Sequence, residues 1–288
     1  MRCEDTLLGS LNIRILEAFD SLLIGSDDGR LSLYFRDVIK RFLLSILLIS
    51  GLTAFGQKQS IQDTTIRFFA IGGELGLQMP MGDLEPRFGF GGLTGGSFMF
   101  KSGKNWTLEA NVGFIFGNQV KEDTILQNLM TETGIIIGRD GNPVDVFLFE
   151  RGFVSTVRVG KVFPVIGPNP NCGIHLALGG GVMQHKIRIQ PEFETLPQLE
   201  GDYKKGYDRL TNGFCLSQSL GYQHFGNTRF VNYYVGVEFY EGFTQNRRTI
   251  NFDTQQPDTR QRLDVIGSLV VRWYFPIYKR QARDYYFY

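Results

Sequence analysis

The residues of this chain that could do chemistry are few and scattered. There are three histidines, His175, His185 and His224, and three cysteines, Cys3, Cys172 and Cys215. No CxxC pair and no Cys/His cluster has the spacing of a metal site, so neither metal nor cofactor is expected. The histidines are followed by Leu-Ala, Lys-Ile and Phe-Gly, so none has a serine two positions on, and no catalytic Ser–His pair is expected. Five charges stand out instead: Glu74, Glu109, Arg158, Glu238 and Arg272. Each lies on the polar side of a segment whose other side is apolar. A charge taken out of water must be paired, so the chemistry they offer is mutual ion pairing in an enclosed space. A second cationic feature, the adjacent Arg247 and Arg248 of EGFTQNRR (241–248), could meet phosphates at a membrane surface.

The elements that must position these residues show period-two alternation, the pattern of a strand with one apolar and one polar face. In Asn105–Asn118, Trp106, Leu108, Ala110, Val112, Phe114 and Phe116 alternate with Thr107, Glu109, Asn111 and Gly113. Phe230–Phe243 and Leu263–Phe275 repeat the pattern. Weaker versions occupy Ile66–Met79, Phe88–Lys101, Phe153–Phe163, Cys172–Arg188 and Thr211–Phe225. Phe88, Phe90, Phe98 and Phe100 are read on one outward face. Gln218 interrupts the apolar face of its segment, and the phase of Cys172–Arg188 slips near Gln184, which predicts a bulge. Eight strands result.

Their connections alternate in length. SGKN (102–105), PVIGPNPN (164–171) and GNTR (226–229) are short, whereas 119–152, 189–210 and 244–262 are long. Strands with one apolar face, short turns at one end and long loops at the other predict an up-and-down transmembrane barrel. Composition agrees: 35 glycines and 25 phenylalanines in 288 residues, with a net charge of +1. Near-neutrality argues against a nucleic-acid partner held by counterion release.

Ahead of the strands, VIKRFLLSILLISGLTAFGQ (38–57) has a Lys40–Arg41 head, an apolar run, and Ala54 and Gly56 before a cut at Gln57. This is the form of a Sec-type export signal, too short to cross a bilayer as a helix. The expected organisation is a non-native upstream extension over 1–37, a signal peptide over 38–56, a barrel over 57–278 and a periplasmic tail over 279–288. The signal has no cysteine at the cut, so no lipid anchor is expected.

The pattern over 64–278 resembles the small eight-stranded outer-membrane barrels of the OmpA/OmpX type, in the style of their Bacteroidota members. The last strand, GSLVVRWYF (267–275), resembles the signal read by the barrel-insertion machinery, although Pro276 and KRQARDYYFY (279–288) follow it. The resemblance implies the outer membrane, contact with its lipid or lipopolysaccharide, and a structural or interaction role through loops or tail. The alternatives are an accessory barrel of a secretion or assembly complex, engaging an envelope protein partner, and a narrow channel for small solutes.

The interior of an eight-stranded barrel is just filled by side chains. Counting the register from strand ends sets Glu109 opposite Arg158, which predicts an ion pair. The same count places Cys215 near Gly181 and Cys172 near His224, too far apart for a disulfide. His185 is expected alone at the outer rim as a surface residue. Ile125–Met130 is expected to be helical, and 134–149 to form a hairpin around RDGN, extending the wall above the membrane.

Overall fold

Alternation of large apolar with small or polar residues gives eight extended segments, and neighbouring segments pair in sequence order. The computed structural model describes residues 64–192, 196–226 and 230–277; the stretches expected to be an upstream extension, an export signal and a tail lie outside the described residues. The strands are β1 (Phe68–Gly82), β2 (Gly91–Lys101), β3 (Trp106–Gly117), β4 (Val146–Phe163), β5 (Gly173–Pro191), β6 (Thr211–Phe225), β7 (Asn232–Asn246) and β8 (Gln261–Ile277). Each pairs antiparallel with the next, and β8 pairs with β1, closing the barrel. Closure removes every exposed strand edge.

The distribution of side chains is inverted relative to a soluble protein. Leu75, Leu77 and Leu178 on the outer wall are about two-thirds exposed, at 68%, 70% and 67%, while Arg158, Glu238 and Arg272 inside are buried at 0%, 0% and 1%. Water would not favour this wall, and hydrocarbon would. Among the described residues no helix is long and apolar enough to cross a membrane. One polar contact interrupts the outer wall: Gln218 of β6 donates to Glu241 of β7 at 3.1 Å. Near the turn end, Lys161 lies over the rings of Trp106 and Phe163, at 5.3 and 5.6 Å.

Four loops rise at the opposite end: L1 (83–90), L2 (118–145), L3 (192–210) and L4 (247–260). A 3₁₀ helix at Asp123–Leu129 occupies the stretch expected to be helical. Three sequence expectations are corrected. The register of β5 runs unbroken through Gln184 on both sides, so no bulge exists there. Phe88 belongs to L1 and is fully buried rather than facing outward. Finally, β4 begins at Val146, so Phe147 and Phe149 continue the wall, whereas Ile137 only bridges Pro143 in a small turn of L2.

Candidate functional site

Inside the barrel, the inward positions of six strands supply one ionic cluster. Glu74 of β1 is the direct cross-strand partner of Arg272 on β8, and Glu109 of β3 that of Arg158 on β4. Arg272 Nε meets Glu74 Oε2 at 2.5 Å, and its Nη2 meets Glu238 Oε1 at 2.7 Å. Arg158 Nη1 lies 2.9 Å from the same Glu238 oxygen, and its Nη2 donates to Glu109 Oε2 at 3.2 Å. Glu238 therefore joins the two arginines, and the Tyr240 hydroxyl donates to its other oxygen at 2.6 Å. His175 Nε2 closes the cluster, 3.1 Å from Glu109 and 2.9 Å from the Thr107 hydroxyl. All five charged residues singled out in the sequence are in this cluster, and three carboxylates face two guanidiniums.

Glycine makes the room. Arg158 is paired across the ladder with Gly179 of β5, where a Cβ would press on the backbone of Val157 and Arg158. Toward the loops, Gln78 donates to Glu150 at 2.7 Å. His185 Nε2 lies 2.8 Å from Asp264 Oδ2, and Thr244 also donates to Asp264. His185 is thus fully buried, edge-on to Phe88, and not a surface residue. The unbroken alternation from His175 to His185 carried that information, and the supposed bulge hid it.

Above this level the lumen is apolar. Leu84 and Phe88 of L1, Ile125, Leu126 and Ile136 of L2, and Leu196 and Leu199 of L3 pack onto Met183, Ile187 and Ile189 of β5. Phe252 of L4 packs against the same cluster. Ion pairs tie the loops over it: Glu122 of L2 takes Arg87 of L1 and Arg209 of L3, each at 2.6 Å, and Arg209 also pairs with Asp253 of L4. Arg248 grips Asp208 through Nη2 at 2.5 Å and Nε at 2.7 Å. Donating these hydrogen bonds to the Asp208 carboxylate raises the Arg248 pKa further. Of the two rim arginines in EGFTQNRR, Arg248 is therefore engaged by the loops, while Arg247 lies outside on the Asn212 side chain at 2.5 Å. None of the interloop partners is adjacent in sequence, so strand counting could not find them.

At the turn end the segment 164–172 folds beneath the lumen. Asn105 donates to the Pro170 carbonyl at 2.9 Å, Asn169 to that of Phe225 at 2.7 Å, and Lys101 to Asn171 at 2.8 Å. Phe68, Met99, Phe225 and Tyr274 fill the space above. Cys172 and Cys215 are both free and buried; Cys215 is paired with Gly181 in the ladder. His224 stacks on Tyr233 at 4.8 Å.

A closed up-and-down ring of eight antiparallel strands, apolar outside and polar inside, defines a barrel of the outer-membrane type. Solved structures with this architecture are similar to it. Neisserial surface protein A is 10% identical, with 71% of this chain and 96% of that chain covered and a TM-score of 0.36. The attachment invasion locus protein Ail of Yersinia pestis is 7% identical, with 73% and 98% covered and a TM-score of 0.36. Outer membrane protein W of E. coli is 11% identical, with 72% and 98% covered and a TM-score of 0.33. No family model and no curated protein matches the chain.

Proposed function

We propose that the protein is a non-catalytic barrel of the bacterial outer membrane, acting as a structural or interaction protein through its surfaces. Closure of the lumen at three successive levels carries this reading. A polar floor lies under the turn end, the five-charge cluster fills the middle, and a loop lid packed with hydrocarbon covers the top. A solute path would have to break a buried ionic cluster and displace a packed apolar layer. The buried histidines serve as hydrogen-bonding partners of Glu109 and Asp264.

In this reading the segment 38–56 exports the chain, GSLVVRWYF engages the insertion machinery, and the loops or the tail meet an envelope partner. The channel alternative is tested by planar-bilayer recording of the full barrel. The proposal expects silence, and a steady unitary conductance would overturn it in favour of small-solute transport. Location is tested by fractionation: recovery in the detergent-free supernatant would overturn the membrane reading.

A further inference from the structure

We propose that the outer wall of β4 and β5, at its loop end, binds a phosphorylated lipid of the outer leaflet, with an acyl chain in the adjoining groove. This rests on the outer-membrane reading above.

Arg151 of β4 lies between the buried Glu150 and the half-buried Gly152, and its ladder partner is Lys186 of β5. Two residues on, Phe149 is opposite Arg188. Lys186 and Arg188 are exposed and alternate with buried His185, Ile187 and Ile189, so both project from the outer wall. Arg247, on Asn212 of the next strand, extends the row. The Arg151 guanidinium lies 5.2 Å from the Phe149 ring centroid and donates to the Glu150 carbonyl at 2.7 Å. Among the described residues the guanidinium makes no direct ion pair, although the inward Glu150 carboxylate next to it in sequence feels its charge. The outward acid nearest along β5 is Glu192, about 13 Å beyond Arg188 at ~3.3 Å per residue. Among the described residues none of these four cations lies within ion-pair distance of a carboxylate, although Glu192 and Glu200 line a depression beside Arg188, and such a row suits phosphate oxygens.

The height of the row fits a headgroup. On β4 the outward face runs from Lys161 at the turn end through Val159, Val157 and Phe153 to Arg151. With strands tilted ~40° and rising ~3.3 Å per residue, that climb is about 25 Å, the usual height of the apolar band. Arg151 and Lys186 therefore stand at its upper edge.

Beside the row lies a groove of about 820 Å³, lined by Arg151, Phe149, Phe116, Phe90, Leu77 and Leu75. The rung from Arg151 passes to Phe116, then Gly92, then Leu77. Gly92 has no side chain to fill the wall, and a Cβ there would collide with the Phe116 ring. The result is an apolar trough that begins at a guanidinium, the shape of a phosphate joined to a hydrocarbon chain.

The test uses the full barrel in phosphatidylcholine nanodiscs, with diphosphoryl lipid A as the probe and retained lipid read by native mass spectrometry. The triple variant Arg151→Gln/Lys186→Gln/Arg188→Gln should lose at least tenfold in lipid A retention. Lys161→Gln, at the other end of the same strand, should change it less than twofold. Leu77→Trp, which fills the trough, should weaken lipid A while leaving the cations in place, and glycerol 3-phosphate at millimolar concentration should not compete. Circular dichroism of each variant verifies the fold. Equal retention by the triple variant and the native barrel would overturn the proposal, as would competition by the soluble phosphate. Either result leaves fractionation, which tests the membrane reading, unaffected.

Discussion

Halfway up the barrel the lumen is filled by ions, and beneath the loops it is filled by hydrocarbon. The ionic layer is built by strands whose ladder register sets Glu74 against Arg272 and Glu109 against Arg158, with Glu238 reaching both arginines from between two serines. The apolar layer is built by loops that reach it from four directions and are held by ion pairs formed outside it. The first is continuous with the barrel and must fail with it. The second is an added closure that can loosen while the wall stands. Charge thus specifies one arrangement in the ladder, whereas packing seals a mouth whose shape the ladder does not set.

The largest effect should come from the ionic layer. Arg272→Met leaves Glu74 buried without its guanidinium and Glu238 with Arg158 alone, and breaking such a buried pair costs about 3–5 kcal/mol. The urea midpoint of the barrel in micelles should fall accordingly. Arg272→Met with Glu74→Gln should recover part of the loss; a double variant worse than the single would refute the pairing. In the apolar layer, Phe88→Ala should cost about 3 kcal/mol, but locally. Loop cleavage by protease should accelerate while the heat-resistant mobility of the barrel stays unchanged. A matching fall in barrel stability would show that the two layers are not separable.

Gly179→Ala probes the boundary between wall and filling. Its Cβ would press on the β4 backbone at Arg158, so a loss of about 1–3 kcal/mol is expected in the same urea assay. The smallest effect concerns the loops in acid. Burial works to raise the Asp258 pKa, but hydrogen bonding and charge from Arg262 hold it below the ordinary value. The contribution of that pair is therefore present above the unfolded value of about 3.9 and lost as pH falls through the lower folded value. Hydrogen exchange in L4 should rise only in that acid window, and Asp258→Asn should abolish the dependence.

The same contrast explains what could be read from the chain. Along β3, β7 and β8 the outward residues are mostly apolar and the inward ones mostly small or polar, with Glu241 outside and Ile115, Ile266 and Val270 inside as exceptions, so hydropathy largely reports geometry. Glu109 and Arg158 followed from counting along two strands joined by known ends. Beneath the loops this link fails, because Met183, Ile187 and Ile189 are inward and apolar, as lipid-facing residues are. Alternation persists in the backbone while its hydropathy signal vanishes, and His185 and Phe88 were misplaced for that reason. The contacts of Arg87, Glu122, Arg209 and Asp253 depend on where four loops meet, which no local pattern encodes.

The Gln218–Glu241 contact on the outer wall has a mechanical consequence. Phe239 and Phe243 flank Glu241 on the same face, so this carboxylate sits within the band that hydrocarbon covers. The penalty for a charge on that face rises toward the middle of the bilayer, less for an acid than for Arg or Lys. Sinking of the barrel would carry Glu241 deeper, while rising would strip lipid from Trp106 and Phe163 at the opposite end. The wall thus resists displacement in both directions, and one hydrogen-bonded acid adds to the vertical seating that the cations at either edge of the band define.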